Sequence, residues 1–173
     1  MTASSSRFAI IAARWNEQYV QRMVDAALET LKRQGVPDEH VTLTWVPGSH
    51  ELPVAAAWAA DSGRADAVLA FGVVIKGETE HFRLVSDGAM QGLQRVALDT
   101  GVPVLNGVLS VYNAAQADAR TGGTHGNTGS QVALAALTMA KLYTEQRGDS
   151  WPRVRLGSSL AAALLGGLLW FRW

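Results

Sequence analysis

The chain of 173 residues contains no cysteine. That absence excludes a disulfide framework, a thiolate zinc site and a cysteine nucleophile, and it fits a reducing compartment. Net charge is missing as well, because 15 basic and 15 acidic side chains cancel. A protein that neutralises a phosphate backbone carries a basic excess, so no nucleic-acid partner is expected. Met1 to Ser6 is short and polar and lacks the charged and apolar regions of a secretory signal, which makes a cytoplasmic location the expectation. The four histidines, 40, 50, 81 and 125, show neither HExxH nor paired spacing, so no metal site is expected. There is no G-x-S-x-G elbow, no P-loop and no G-x-G-x-x-G fingerprint after the first apolar run, which disfavours a Rossmann-type redox enzyme.

What is present has the length of one domain, since domains run roughly 100–200 residues. The zero charge is a sum of unlike parts. Residues 1–146 hold 11 basic and 14 acidic side chains, whereas residues 147–173 hold four basic, one acidic and three of the six tryptophans. The division expected is therefore an acidic body, 1–146, and a basic, apolar tail, 147–173.

The body alternates apolar runs with segments of helical period, the order expected of a parallel sheet covered by helices. Phe8 to Ala13 reads as a strand buried on both faces. Val20, Met23, Val24, Ala27, Leu28 and Leu31 lie on one helix face. Val41 to Val46, Ala67 to Ile75 and Val104 to Leu109 read as further strands. Leu52 to Ala60, His81 to Thr100 and Gly129 to Tyr143 read as helices. Ligands of an open parallel sheet sit beyond the carboxyl ends of its strands, so the residues after 13, 46, 75 and 109 are the ones to examine.

Each of those places has a functional and a plain structural reading. Trp15 can stack on a planar heterocycle or simply pack. Ser49 and Glu51, after the Pro47-Gly48 turn, can bind a ligand, or cap the next helix and complement its dipole. Lys76-Gly77-Glu78-Thr79-Glu80-His81 is a glycine loop entering a helix, able to offer backbone N–H groups and a hydroxyl to an anion, with His81 placed for proton exchange. The alternative there is a capped helix with a surface histidine. Arg120, the only cation between Arg95 and Lys141, stands beside a glycine-rich stretch and can bind a phosphate or be a solvated loop residue.

Taken together, Ala13-Arg14-Trp15-Asn16, Val46-Pro47-Gly48-Ser49-His50-Glu51-Leu52-Pro53, Gly72 to Phe82, Asn106-Gly107-Val108-Leu109, Gln116-Ala117 and Gly126-Asn127 resemble 6,7-dimethyl-8-ribityllumazine synthase, from Phe8 to about Tyr143. The resemblance implies a flavodoxin-like three-layer α/β/α sandwich with a four-stranded, mainly parallel sheet. It implies pentamers, in some members twelve of them in a 60-subunit icosahedral shell, with active sites shared between neighbours and riboflavin synthase as a candidate partner. The implied activity is the penultimate step of riboflavin synthesis, with small-molecule substrates and neither metal nor organic cofactor. By the same resemblance Trp15 stacks on the pyrimidine, and Ser49, His50 and Glu51 hold the ribityl chain and ring edge. Val73, Val74 and Ile75 line the ring pocket, and Asn106 comes from the adjacent subunit. Glu78, Thr79 and Arg120 bind phosphate, and His81 is the general acid/base.

The chain also departs from the family pattern. Thr124 and Thr128 stand where lysines are common, Arg83 where Asp is usual, Ala119 where Glu is frequent and Lys76 where Arg is. A shell-forming or ligand-binding homologue with weakened catalysis is therefore an alternative, and a flavin carrier without chemistry a further one. Family members end near the last helix, so the tail is extra. Its 12 apolar or glycine residues, Leu160 to Phe171, fall short of the roughly 20 that span a membrane. It can dock on a subunit groove, lie in a membrane interface or stay disordered, or it can be a frameshifted addition.

Overall fold

A computed structural model of the chain describes residues 5–148, and the segment Leu160 to Phe171 lies outside them. Strands β1 (Phe8–Ala13), β2 (Val41–Val46), β3 (Ala67–Ile75) and β4 (Val104–Val111) form one sheet in the order β2-β1-β3-β4, all pairs parallel. Helices α1 (Glu17–Arg33), α2 (Leu52–Asp61), α3 (His81–Thr100), α4 (Ala114–Arg120) and α5 (Thr128–Arg147) connect or follow them.

The apolar run of β1 follows from its central place. Phe8, Ile10 and Ala12 face one way, against Val20, Met23 and Leu31 of α1 and Val132, Ala133 and Ala136 of α5. Ala9, Ile11 and Ala13 face the other way, against Leu52 and Ala56 of α2 and Leu93 of α3. Helices thus cover both faces in three layers, and each large side chain buried this way contributes about 1.5–3 kcal/mol. At the sheet edge β2 needs less apolar surface, and Thr42, Leu43 and Thr44 are exposed. Helix α3 ends at Gly101, whose φ of 71° closes the helix in the left-handed region.

The expected strands and long helices are found, with modest shifts at their ends: β4 runs two residues past Leu109, and α5 extends through Arg147, one residue into the expected tail. Two features were not anticipated. Residues 114–120 form α4, capped by the Asn113 side chain, which accepts from the Gln116 N–H at 3.0 Å. The glycine-rich stretch then folds as a short antiparallel ladder, β5 (Thr121–Gly123) with β6 (Gly126–Asn127). Helix α4 buries Ala117 alone, so it carries no apolar period to read.

Where α5 begins, Gly129 lies against the backbone of Met23 in α1, and a Cβ there would run into the Met23 carbonyl. Gly129→Ala is expected to destabilise the protein by about 1–3 kcal/mol, the range for overpacking. The check is the thermal unfolding midpoint at fixed protein concentration, and an unchanged midpoint would mean that the helices separate freely.

Candidate active site

The carboxyl ends of β1, β2 and β3 open onto a cavity of about 430 Å³ that is closed on one side by the first turn of α3. The chain leaving β1 and the chain leaving β2 stay paired beyond the strands: Arg14 N–H donates to the Val46 carbonyl at 2.9 Å and Trp15 N–H to the Pro47 carbonyl at 3.1 Å. Trp15 is thereby fixed by its backbone while its ring, 74% exposed, remains open to a stacking partner.

Asn16 makes the turn that follows. With φ 62° and ψ 37° it is the only non-glycine residue at positive φ among the described residues, and its Nδ2 donates to the Val73 carbonyl at 2.8 Å. Asparagine tolerates this conformation better than other side-chain-bearing residues. One residue therefore turns the chain and ties the end of β1 to β3.

The turn after β2 delivers Ser49, His50 and Glu51 to the cavity wall. Capping does not account for them. Ser49–Glu51 form a single 3-10 turn, and neither that turn nor α2 has a side-chain cap hydrogen bond. Ser49 is buried, Glu51 half-buried, and the His50 ring sits over Gly88 of α3. Val73, Val74 and Ile75 line the floor, with the Val73 carbonyl already accepting from Asn16.

Gly77, Thr79, His81, Phe82 and Val85 complete the wall. The Thr79 hydroxyl accepts from the His81 N–H at 3.3 Å, so it serves the start of α3. The Lys76 ammonium lies 5.8 Å from the Phe82 ring centroid and 5.6 Å from that of Tyr112, holding the first turn of α3 against the end of β4.

Nine of the twelve expected site residues thus meet at one cavity: Trp15, Ser49, His50, Glu51, Val73, Val74, Ile75, Thr79 and His81. Glu78, Asn106 and Arg120 do not line it. Glu78 is exposed on the loop before α3, and Asn106 is exposed on the edge strand β4, its Oδ1 accepting from the Val108 N–H at 2.9 Å. Arg120 ends α4, its guanidinium donating to the Gln116 carbonyl at 3.3 Å. Thr128 donates its hydroxyl to the Arg120 carbonyl at 3.2 Å. Asn16, Pro47, Gly48, Gly77, Phe82 and Val85 also line the cavity and were not among the expected site residues. An asparagine three residues past an apolar strand, able to adopt a left-handed turn, was the available signal for the first.

Among the described residues no group of three or more His, Asp and Glu side chains is placed to hold a metal ion, and no helix is long and apolar enough to cross a membrane. The arrangement suits an aromatic heterocycle stacked on Trp15, hydroxyls held near Glu51, and an anion at the amino end of α3, where the His81 imidazole lines the same cavity.

Residues 5–144 match the family model of 6,7-dimethyl-8-ribityllumazine synthase. The chain belongs to that family. The 6,7-dimethyl-8-ribityllumazine synthase of Stenotrophomonas maltophilia is 48% identical over 144 residues, covering 83% of this chain and 93% of the relative. That of Halorhodospira halophila is 48% identical over 140 residues, covering 81% and 90%. That of Xanthomonas oryzae pv. oryzae is 46% identical over 138 residues, covering 80% and 90%. The four-stranded parallel sheet with helices on both faces agrees with this membership.

The double duty of Asn16 sets an order of stabilities. Asn16→Gly loses only the bond to Val73, about 1 kcal/mol. Asn16→Ala loses the bond and meets the left-handed strain as well, about 2–3 kcal/mol in all. Chemical denaturation at fixed protein concentration measures both, and the reverse order would refute the assigned role.

Proposed function

We propose that the cavity brings together 5-amino-6-ribitylamino-uracil and 3,4-dihydroxy-2-butanone 4-phosphate, with His81 as the proton-transfer group. In function the chain is a lumazine synthase, a transferase of riboflavin biosynthesis. The observation that carries the site assignment is that Trp15, Ser49 to Glu51, Val73 to Ile75, Thr79 and His81, drawn from three strand ends and one helix start, line the same cavity.

In this reading Trp15 stacks on the pyrimidine, and Ser49, His50 and Glu51 hold the ring edge and the ribityl hydroxyls, with Glu51 accepting. The phosphate lies on the backbone N–H groups at Glu78 and Thr79 and on the Arg120 guanidinium. The ring amine attacks the butanone carbonyl and an imine forms with loss of water. Elimination then expels phosphate, and the enol left behind becomes a ketone that the ribitylamino nitrogen attacks, closing the second ring with loss of a second water. His81 passes the proton between carbon and oxygen. Most of the acceleration comes from holding two reactants in one geometry.

The cavity is shared between neighbouring subunits, Asn106 and Arg120 being given to the adjoining one. Their positions off their own cavity support this, as do the exposed apolar side chains Trp58 on α2, Leu84 and Leu98 on α3, and Leu134 and Leu142 on α5. The assembly is a pentamer, with a 60-subunit shell as its larger form and riboflavin synthase as its partner. A cytoplasmic location belongs to the same proposal, and so does the assignment of function to residues 1–146.

His81→Ala is expected to lower turnover on the order of 10²–10⁴-fold, the range for a lost acid/base group. Product absorbance and phosphate release report it, with light scattering to show that assembly persists. Turnover equal to that of the parent removes His81 from the mechanism. Deleting residues 149–173 is expected to leave particle size and turnover as they are. A shortened chain that fails to assemble would place the tail in the architecture.

A further inference from the structure

Arg120, to which the proposed function gives the phosphate, is held from several sides. Its Nη1 donates one turn back, to the Gln116 carbonyl at 3.3 Å. The preceding residue, Ala119, accepts at its carbonyl from the His125 N–H at 2.8 Å. Asp118 forms an ion pair with Arg22 of α1 at 2.7 Å, and the Asn127 Nδ2 donates to the Arg22 carbonyl at 3.1 Å. The β5–β6 ladder thus folds back so that the first residue of α5 lies beside the last residue of α4. There the Thr128 hydroxyl donates to the carbonyl of Arg120 itself at 3.2 Å, in a half-buried setting.

A guanidinium recognises phosphate as a rigid fork, and its worth depends on how well it is aimed. The side-chain bond to Gln116 steadies the head of Arg120, and the Thr128 bond steadies the peptide unit from which the side chain departs. We propose that Thr128 is a positioning residue for phosphate recognition, its hydroxyl fixing the Arg120 carbonyl and with it the backbone from which the guanidinium is aimed. This inference rests on the assignment of Arg120 to the phosphate.

The test uses the full-length assembly, with each substrate varied in turn and inorganic phosphate as a competing probe. Thr128→Val keeps the shape and removes the hydroxyl. It is expected to raise both the KM for the phosphorylated substrate and the inhibition constant of inorganic phosphate by about threefold to tenfold, the effect of one lost hydrogen bond. The KM for the pyrimidine stays within about twofold, because no bond on its side of the cavity is touched. Thr128→Ser retains the bond and restores both phosphate-dependent constants, and Thr128→Ala serves as a second variant read in the same way as Thr128→Val. Arg120→Ala separates the two claims. If it raises the phosphate-dependent constants while Thr128→Val does not, Thr128 has no positioning role and the Arg120 assignment stands. If Arg120→Ala leaves them alone, the Arg120 assignment falls and the inference with it. A Thr128→Val effect of equal size on both substrates would mark general damage and also overturn the inference.

Discussion

Burial of β1 and β3 on both faces is the constraint on which the rest depends. A strand apolar on every residue needs cover above and below, and parallel neighbours need crossovers long enough to hold a helix. Both requirements are met by α1 and α5 on one side and α2 and α3 on the other. Parallel pairing then puts the carboxyl ends of β1, β2 and β3 at one edge, where the strands stop and their polar followers are free to face a ligand. The cavity is a by-product of that arrangement before it is a site.

Two kinds of local bonding turn the cavity into a shaped pocket. Beside Trp15, Asn16 accepts a left-handed backbone and ties itself to Val73, which fixes the chain that carries the Trp15 ring. At the start of α3, the Lys76 ammonium lies against Phe82 and Tyr112, and away from the cavity the Arg22–Asp118 pair with its neighbouring hydrogen bonds pins the end of α4. Exposed ion pairs of this sort add little stability each, typically ~0–1 kcal/mol, so their consequence here is geometric.

Much of the fold was legible because its signals are local and strong. The runs Phe8 to Ala13 and Ala67 to Ile75 are apolar at every position, and the α1 positions Val20, Met23, Val24, Ala27 and Leu31 repeat at helical spacing and are all buried. Helix α4 and the β5–β6 ladder were not legible, since they form around a capping asparagine, one buried alanine and several glycines instead of an apolar period. Of the site, Ser49 also read as a helix cap and Glu51 as a first-turn carboxylate complementing the helix dipole, because serine and glutamate are common in those roles. The turn geometry faces them to the cavity instead.

The order of residues by itself determined the layer pattern, the strand and helix identities and the chemical kit of tryptophan, serine, histidine, glutamate and arginine, because periodicity and residue type act over a few neighbours. Only the tertiary structure decided which of these share a cavity. Trp15, Ser49 and His81 meet through parallel pairing of strands far apart in the chain. Asn106 on the edge strand β4 and Arg120 at the end of α4 do not line that cavity. Contact across a sheet depends on strand order, and strand order is settled by the packing of the whole core, not by any short segment.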